Sequence, residues 1–206
     1  MPLVRSIHNA DISLGLWEIT EEPLFFENAI PYRAIASNPG QHLQKLASRM
    51  VLHVLEPSFP FDQIQLNPAG KPFLPEGNQF SISHTKGFAA GIISAEIPVG
   101  IDIEFITPRV LKIEKKFLNP QEYALLDPLS EQDRIIFASL FWSIKETVFK
   151  CWGNGGVDFA EQIRIQSFSL HDQGIAAVQF GHAGAVHALH YQREGDLWLT
   201  YMQAML

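Results

Sequence analysis

Asp102 and Glu104 stand one residue apart in Val99-Gly100-Ile101-Asp102-Ile103-Glu104. Glu146 follows in Trp142-Ser143-Ile144-Lys145-Glu146, four residues before Lys150. Three carboxylates and a lysine could gather a hard cation and a phosphate. Carboxylate oxygens with open water positions suit Mg²⁺, which keeps several waters and takes phosphate oxygens from a substrate. A lysine beside such an ion would neutralise phosphate charge. Taken singly the motifs are ordinary. An Asp-x-Glu strand pair usually faces solvent, and an i, i+4 glutamate–lysine pair contributes about 0.3 kcal/mol. The case for chemistry rests on their combination.

The elements that must position these groups are legible in the periodicity. Residues 99–105 alternate and are β-branched, which predicts a strand. On a strand, residues two apart share a face, so Asp102 and Glu104 point one way and Ile101 and Ile103 the other. The apolar-periodic stretch 131–152 ends at Gly153 and predicts a helix, on which Glu146 and Lys150 are neighbours. Upstream, 12–19 reads as a first strand. Leu43, Leu46, Ala47, Met50, Val51, Val54 and Leu55 form a helical stripe over 41–55, stopped by Pro57. Asn67-Pro68-Ala69-Gly70-Lys71-Pro72 is a turn by composition. Segments 79–84 and 88–95 form a hairpin about Lys86-Gly87.

Helical stretches are expected near 110–117, 120–126 and 131–152. Strands are expected near 163–170, 176–180, 186–191 and 197–201. Helices gather early and strands late in each part, which indicates an α+β fold rather than alternating βαβ units. Pro98 divides the chain into a first half, 1–98, and a second half, 99–206, that carries the acidic residues.

The chain has 206 residues, 47% hydrophobic, and a formal net charge of −7. That length buries most of its unfolded surface. The acidic balance and the lack of a basic run argue against a nucleic-acid partner. A single cysteine, Cys151, excludes an internal disulfide framework and fits a reducing compartment. Beside Trp152 on the helical pattern, it reads as packed rather than catalytic. No signal pattern opens the chain, since Glu18, Glu21 and Glu22 interrupt it, and the longest apolar stretch, 88–93, is too short to span a bilayer. A cytoplasmic protein with no membrane role is expected.

Four segments then line up in order: Gly70-Lys71-Pro72, Phe80-Ser81-Ile82-Ser83-His84, Gly100-Ile101-Asp102-Ile103-Glu104, and Trp142-Ser143-Ile144-Lys145-Glu146 with Lys150. Their order and spacing resemble the 4′-phosphopantetheinyl transferase superfamily, in its monomeric two-half form that activates synthetases and carrier proteins. The motifs lie within 41–150. The resemblance implies two similar halves with antiparallel sheets related by a pseudo-twofold axis, and coenzyme A in the cleft between them. The implied activity moves the 4′-phosphopantetheine arm of coenzyme A to a serine of an apo acyl or peptidyl carrier protein and releases adenosine 3′,5′-bisphosphate. Asp102, Glu104 and Glu146 would hold Mg²⁺. Glu146 would take the serine proton, directly or through a metal-bound water. Lys150 would contact the attacked phosphate, with Lys145 a second candidate. Ser83 and His84 would hold coenzyme A phosphates, and Lys71 would sit near the 3′-phosphate end.

The chemistry of the residues agrees, because phosphoryl transfer needs positioning and charge neutralisation more than covalent help. The nucleophile would belong to the partner, so this chain needs no nucleophile motif of its own. Residues 1–40 offer only Arg5 and Arg33 as cations, so Arg49, ahead of Lys45, is the expected 3′-phosphate ligand. Two positions depart from the family pattern: Thr147 follows the Lys-Glu pair and Thr85 follows the histidine. Trp142 reads as core packing, and His182, His187 and His190 as structural rather than a zinc cluster. Gly153-Asn154-Gly155-Gly156 lacks the lysine of a nucleotide loop and reads as a helix stop. The rivals are a non-catalytic module that binds coenzyme A or a carrier protein, and a different Mg²⁺-dependent nucleotide enzyme. The charge balance sets a problem: carrier proteins are typically acidic, this chain is acidic too, and no docking patch stands out in the sequence.

Overall fold

Alternation over 99–105 and the absence of Gly or Pro over 131–152 dictate the two elements that matter most, and both form with the expected bounds. The computed structural model describes residues 3–32, 38–181 and 184–206. In chain order it contains β1 (Leu3–His8), β2 (Ile12–Glu18), α1 (Pro23–Ala29), α2 (Pro39–Leu55), β3 (Gln65–Leu66), β4 (Pro72–Phe73), β5 (Gln79–Thr85), β6 (Phe88–Ser94) and β7 (Val99–Phe105). These are followed by α3 (Pro120–Leu126), α4 (Glu131–Trp152), α5 (Phe159–Gln162), β8 (Ile163–Ser167), β9 (Gln173–Phe180), β10 (Val186–Glu194) and β11 (Leu197–Gln203). The fold is α+β with antiparallel sheets. One sheet has the order β1-β2-β6-β5, the other β7-β11-β10-β9-β8, and β3 pairs only with β4.

Each large sheet carries a long helix on one face. Val51 of α2 packs against Gly15 and Gly91 of β2 and β6, where a side chain would crowd it. Phe141, Ile144 and Val148 of α4 pack over β8–β11 in the largest core cluster. The other faces of the sheets meet each other: Leu14, Leu16, Ala90 and Ile92 of the first bury against Ile101, Ile103, Leu197 and Leu199 of the second. The order of layers is therefore helix, sheet, sheet, helix, with apolar burial driving each contact. Strand β7 lies at the edge of its sheet beside β5. Two serines of β5 satisfy its edge amides, Ile101 N–H donating to Ser81 Oγ and Ile103 N–H to Ser83 Oγ, both at 3.3 Å. A buried edge without such partners would leave amides unpaired at a cost of about 1–3 kcal/mol each.

Helix α4 begins at Ser130, whose hydroxyl accepts from Asp133 N–H at 3.1 Å, and ends at Gly153 with φ of +73°. It approaches β7 unusually closely because Gly100 lacks a side chain: a Cβ there would lie 2.2 Å from the Thr147 carbonyl oxygen and 2.9 Å from Cys151 N. Two expectations differ from the outcome. Residues 110–117 form two short 3₁₀ turns, Pro108–Lys112 and Glu114–Lys116, rather than one helix. Their bonding is i→i+3, Ile113 N–H to the Val110 carbonyl at 3.0 Å and Lys116 N–H to the Ile113 carbonyl at 2.8 Å, the tighter geometry common in short connectors. β1, α1, β3, β4 and α5 were not anticipated; all are short, and β1 buries little of itself. Among the described residues, no helix is long and apolar enough to cross a membrane.

Candidate functional site at the seam of the two sheets

β7 and α4 present one polar face to each other where the seam with β5 opens. Asp102 is buried. Its Oδ1 accepts from the Lys150 ammonium at 2.6 Å and from Ser83 Oγ at 2.9 Å, and its Oδ2 accepts from Ser143 Oγ at 2.8 Å. Lys150 also donates to Ser83 Oγ at 2.9 Å. Asp102, Lys150 and Ser83 thus form one triangle joining β7, α4 and β5. Ser143 is held in turn by Thr200, whose hydroxyl lies 2.8 Å from it and 2.6 Å from that of Thr147. Thr147 therefore has a defined task in anchoring α4 to β11.

Glu104 and Glu146 lie half-buried on the same face. Burial, reinforced by the Asp102 and Glu146 carboxylates, pushes Glu104 up from 4.5 to about 7, with Lys150 and the nearby Trp142 side chain pulling the other way. Burial and Asp102 push Glu146 up to about 6, against Lys150. The three acids thus crowd one another electrostatically. Among the described residues, however, no group of three or more His, Cys, Asp or Glu side chains is gathered so as to hold a metal ion. Both Asp102 oxygens are instead engaged by Lys150, Ser83 and Ser143. The donor chemistry still fits a hard cation: every candidate ligand is an anionic oxygen, two of them destabilised as anions, and Mg²⁺ usually takes only one or two carboxylates, with phosphate and water completing its shell.

The other expected residues fall in three places. His84, next to last in β5, stands near this centre with its side chain partly open to solvent; desolvation first, then the Lys150, Arg49 and Lys45 cations, lower its basicity. Arg49 joins this cationic group from α2. It is only 9% exposed, stacks 5.1 Å from the Tyr32 ring, donates to Ser48 Oγ at 3.2 Å, and its Nε has no partner among the described residues. A buried guanidinium with an unused donor suits an anion. Lys71 lies in the turn between β3 and β4, where its ammonium donates to the Cys151 carbonyl at 3.2 Å. It borders a cleft of about 200 Å³ lined by Pro72, Phe80, Ile82, Phe149 and Lys150.

Lys145 is not with the others. It is fully buried, and its ammonium donates to Glu122 Oε2, the Phe117 and Ile163 carbonyls at 2.7 Å and the Phe159 carbonyl at 2.9 Å. Every donor is used inside the second half, which removes it from the phosphate-binding set. A second cleft, about 420 Å³, opens from Glu104 along Val110, Ile113, Ser139 and Trp142. Trp142 lines it while packing on Phe117 and Phe159.

Ser143 was not assigned a role from the sequence, although it lies three residues before Glu146 and seven before Lys150, on the same helical face. Cys151 is buried, and burial raises its thiol to about 11, which makes it inert. His190 stacks on Tyr201 at 5.0 Å, whereas His182 and Arg33 lie outside the described residues.

Residues 98–202 match the model of the 4′-phosphopantetheinyl transferase superfamily. The chain is 33% identical over 140 residues to the 4′-phosphopantetheinyl transferase ffp of Bacillus subtilis, covering 61% of this chain and 59% of that protein. It is 36% identical over 89 residues to the transferase gsp of Aneurinibacillus migulanus, covering 43% and 37%. To the transferase Sfp of Bacillus subtilis strain 168 it is 27% identical over 146 residues, covering 67% and 62%. The chain spans at most 62% of the length of these relatives.

Proposed function

The chain belongs to the 4′-phosphopantetheinyl transferase superfamily, and from that premise we infer that it moves the 4′-phosphopantetheine arm of coenzyme A to a serine of an apo carrier protein. The serine oxygen forms a bond to the β-phosphorus of the coenzyme A pyrophosphate, the P–O bond to the bridging oxygen breaks, and adenosine 3′,5′-bisphosphate leaves. The observation that carries the reading is the Asp102–Lys150–Ser83 triangle with Glu104 and Glu146 beside it.

Lys150, half-exposed and already shared between two oxygens, would turn to the phosphate under attack. Ser83 and His84 would hold the neighbouring phosphate oxygens, and Arg49 the 3′-phosphate. Glu146 would take the serine proton, directly or through a metal-bound water. Asp102, Glu104 and Glu146 would hold Mg²⁺, which when bound supplies charge neutralisation at the pyrophosphate. In this reading residues 1–98 bind most of coenzyme A and residues 99–206 carry the acids, in a monomer.

The reading also answers the electrostatic problem of an acidic chain that must meet an acidic partner. Arg109, Lys112, Lys115 and Lys116 stand exposed on the two 3₁₀ turns bordering the Glu104 cleft. Glu114, the one acid among them, is withdrawn into an ion pair with Arg134 at 3.1 Å. A net −7 chain thus keeps a local positive ridge at the mouth of its site, where a carrier would dock.

The test is mass spectrometry of an apo carrier incubated with this protein, coenzyme A and Mg²⁺. A gain in carrier mass equal to the phosphopantetheine arm is expected. No gain, with a known transferase succeeding in parallel, would defeat the reading. Binding of coenzyme A without transfer would favour the non-catalytic module.

A further inference from the structure

The last carbonyls of a helix have no partner within it, and two at the end of α4 find theirs in the other half of the chain. Asn67 Nδ2 donates to the Gly153 carbonyl at 2.7 Å across 86 residues, and Lys71 Nζ donates to the Cys151 carbonyl. The Asn67 side chain also organises its own turn: its Oδ1 accepts from Ala69 N–H at 3.0 Å and Lys71 N–H at 2.9 Å. The fit is close. Gly153 has a positive φ, and a Cβ there would come 2.3 Å from Lys71 Cδ.

One side chain thus shapes the turn and fastens it to the helix end, one turn beyond Lys150. The two parties it joins are the two walls of one cleft, Ala69 to Pro72 on one side and Phe149, Lys150 and Gly153 on the other. We propose that Asn67 is a positioning residue that sets the width of this cleft and thereby the affinity for coenzyme A, without touching the reacting atoms. The proposal rests on the transferase reading. The Asn67 hydrogen bonds reach neither Glu146 nor the ridge at 109–116, and Lys150, though part of the same cleft wall, is held separately by Asp102 and Ser83, so the main effect falls on binding.

Asn67→Asp removes the latch donor and also adds a negative charge beside Lys71, so it is read together with a neutral variant. The Asp substitution keeps the oxygen that accepts from the turn amides and replaces the donor to Gly153 with a second acceptor, which repels that carbonyl. Coenzyme A binding by calorimetry and the full steady-state constants are measured for wild type and variant. The expected result is a rise of about tenfold in both Kd and KM for coenzyme A, equivalent to about 1.4 kcal/mol, with kcat and the carrier KM within about twofold of wild type. Asn67→Ser keeps a turn-forming oxygen, is too short to span the gap and adds no charge; it is expected to show the same rise, and a rise confined to Asn67→Asp would be repulsion of the coenzyme A phosphates and would overturn the proposal.

Unchanged coenzyme A affinity in a folded variant would overturn the proposal and leave the transferase reading intact. An equal loss in kcat and in both KM values would also overturn it, since that pattern belongs to general destabilisation. A wild-type protein that neither binds coenzyme A nor modifies a carrier would overturn the transferase reading, and the proposal with it.

Discussion

Two charge clusters flank the same helix and differ in one respect. Lys145 and Lys150 are five residues apart on α4, so 3.6 residues per turn sets them about 140° apart on the helix. Around Lys145 the account is closed. Its ammonium meets four oxygens, and Glu122 accepts Lys145, Asn119 N–H at 3.0 Å and Ile165 N–H at 2.9 Å. Around Lys150 it stays open: one lysine serves three acids, and two of those acids are held well above the usual carboxylate range. A saturated cluster fixes α3, α5 and β8 to α4, whereas an unsaturated one keeps charge available for a ligand. Saturation, rather than burial or proximity in sequence, separates Lys145 from the lysine we propose for the phosphate.

The comparison breaks most sharply at Glu146. Glu146→Gln should lower kcat by about a thousandfold, within the range for a positioned general base. Its Tm should hold or rise slightly, because an uncompensated acid is neutralised. Transfer kinetics beside a thermal melt check this; near-normal turnover would take Glu146 out of the chemistry. At the closed cluster the balance should invert. Lys145→Met leaves Glu122 charged and buried, at a cost of about 3–5 kcal/mol, or a Tm drop on the order of 10 °C for a chain of this size. Adding Glu122→Gln should restore only the part due to the uncompensated charge, since the Phe117, Phe159 and Ile163 carbonyls stay unpaired. A double variant that is stable yet unable to bind coenzyme A would put Lys145 back among the phosphate ligands.

The remaining two predictions sharpen the contrast at smaller amplitude. Charge reversal at Lys112, Lys115 and Lys116 should raise the carrier KM by about tenfold at low salt, less at high salt, and leave the coenzyme A KM alone. Salt-independent kinetics would dismiss the ridge as a docking site. Glu104 supplies the pH test. Its folded value of about 7 exceeds the ordinary 4.5, so the folded chain holds this proton more tightly than the unfolded one. The associated stability is present at low pH and is lost as pH rises from about 4.5 through about 7. Glu104→Gln escapes that loss, so its Tm advantage over wild type should grow across the same window. A flat difference would refute the assigned crowding.

Much of the frame could be read from residue order alone, for identifiable reasons. The strand at 99–105 and the helix at 131–152 carry strong, opposite periodicities, and their bounds emerged as read. Glu146 and Lys150 obey local helix geometry. Lys145 was misread because it adjoins Glu146 in sequence, while its partners at Phe117, Glu122 and Ile163 are brought in by tertiary packing. Ser81 and Ser83 alternate as strand residues should, yet their service to the β7 edge depends on how two sheets abut. Arg49 lies off the apolar stripe of α2, so its burial, like its place over the Tyr32 ring, comes from tertiary packing that local periodicity does not show. The ridge at 109–116 escaped notice because its four cations are spaced among Val110, Leu111 and Ile113, so no basic run stands out, and only the fold shows all four exposed.

Gly100 gives the site a gauge. Asp102 rides on the strand, while Glu146 and Lys150 ride on the helix, and the distance between the two carriers is set by an absent methyl group at position 100. An alanine there would shim the helix outward and spread all three groups in a single motion. The product would be a protein with every reactive side chain intact and the spacing between them wrong, a failure that chemical rescue with a small base could not repair.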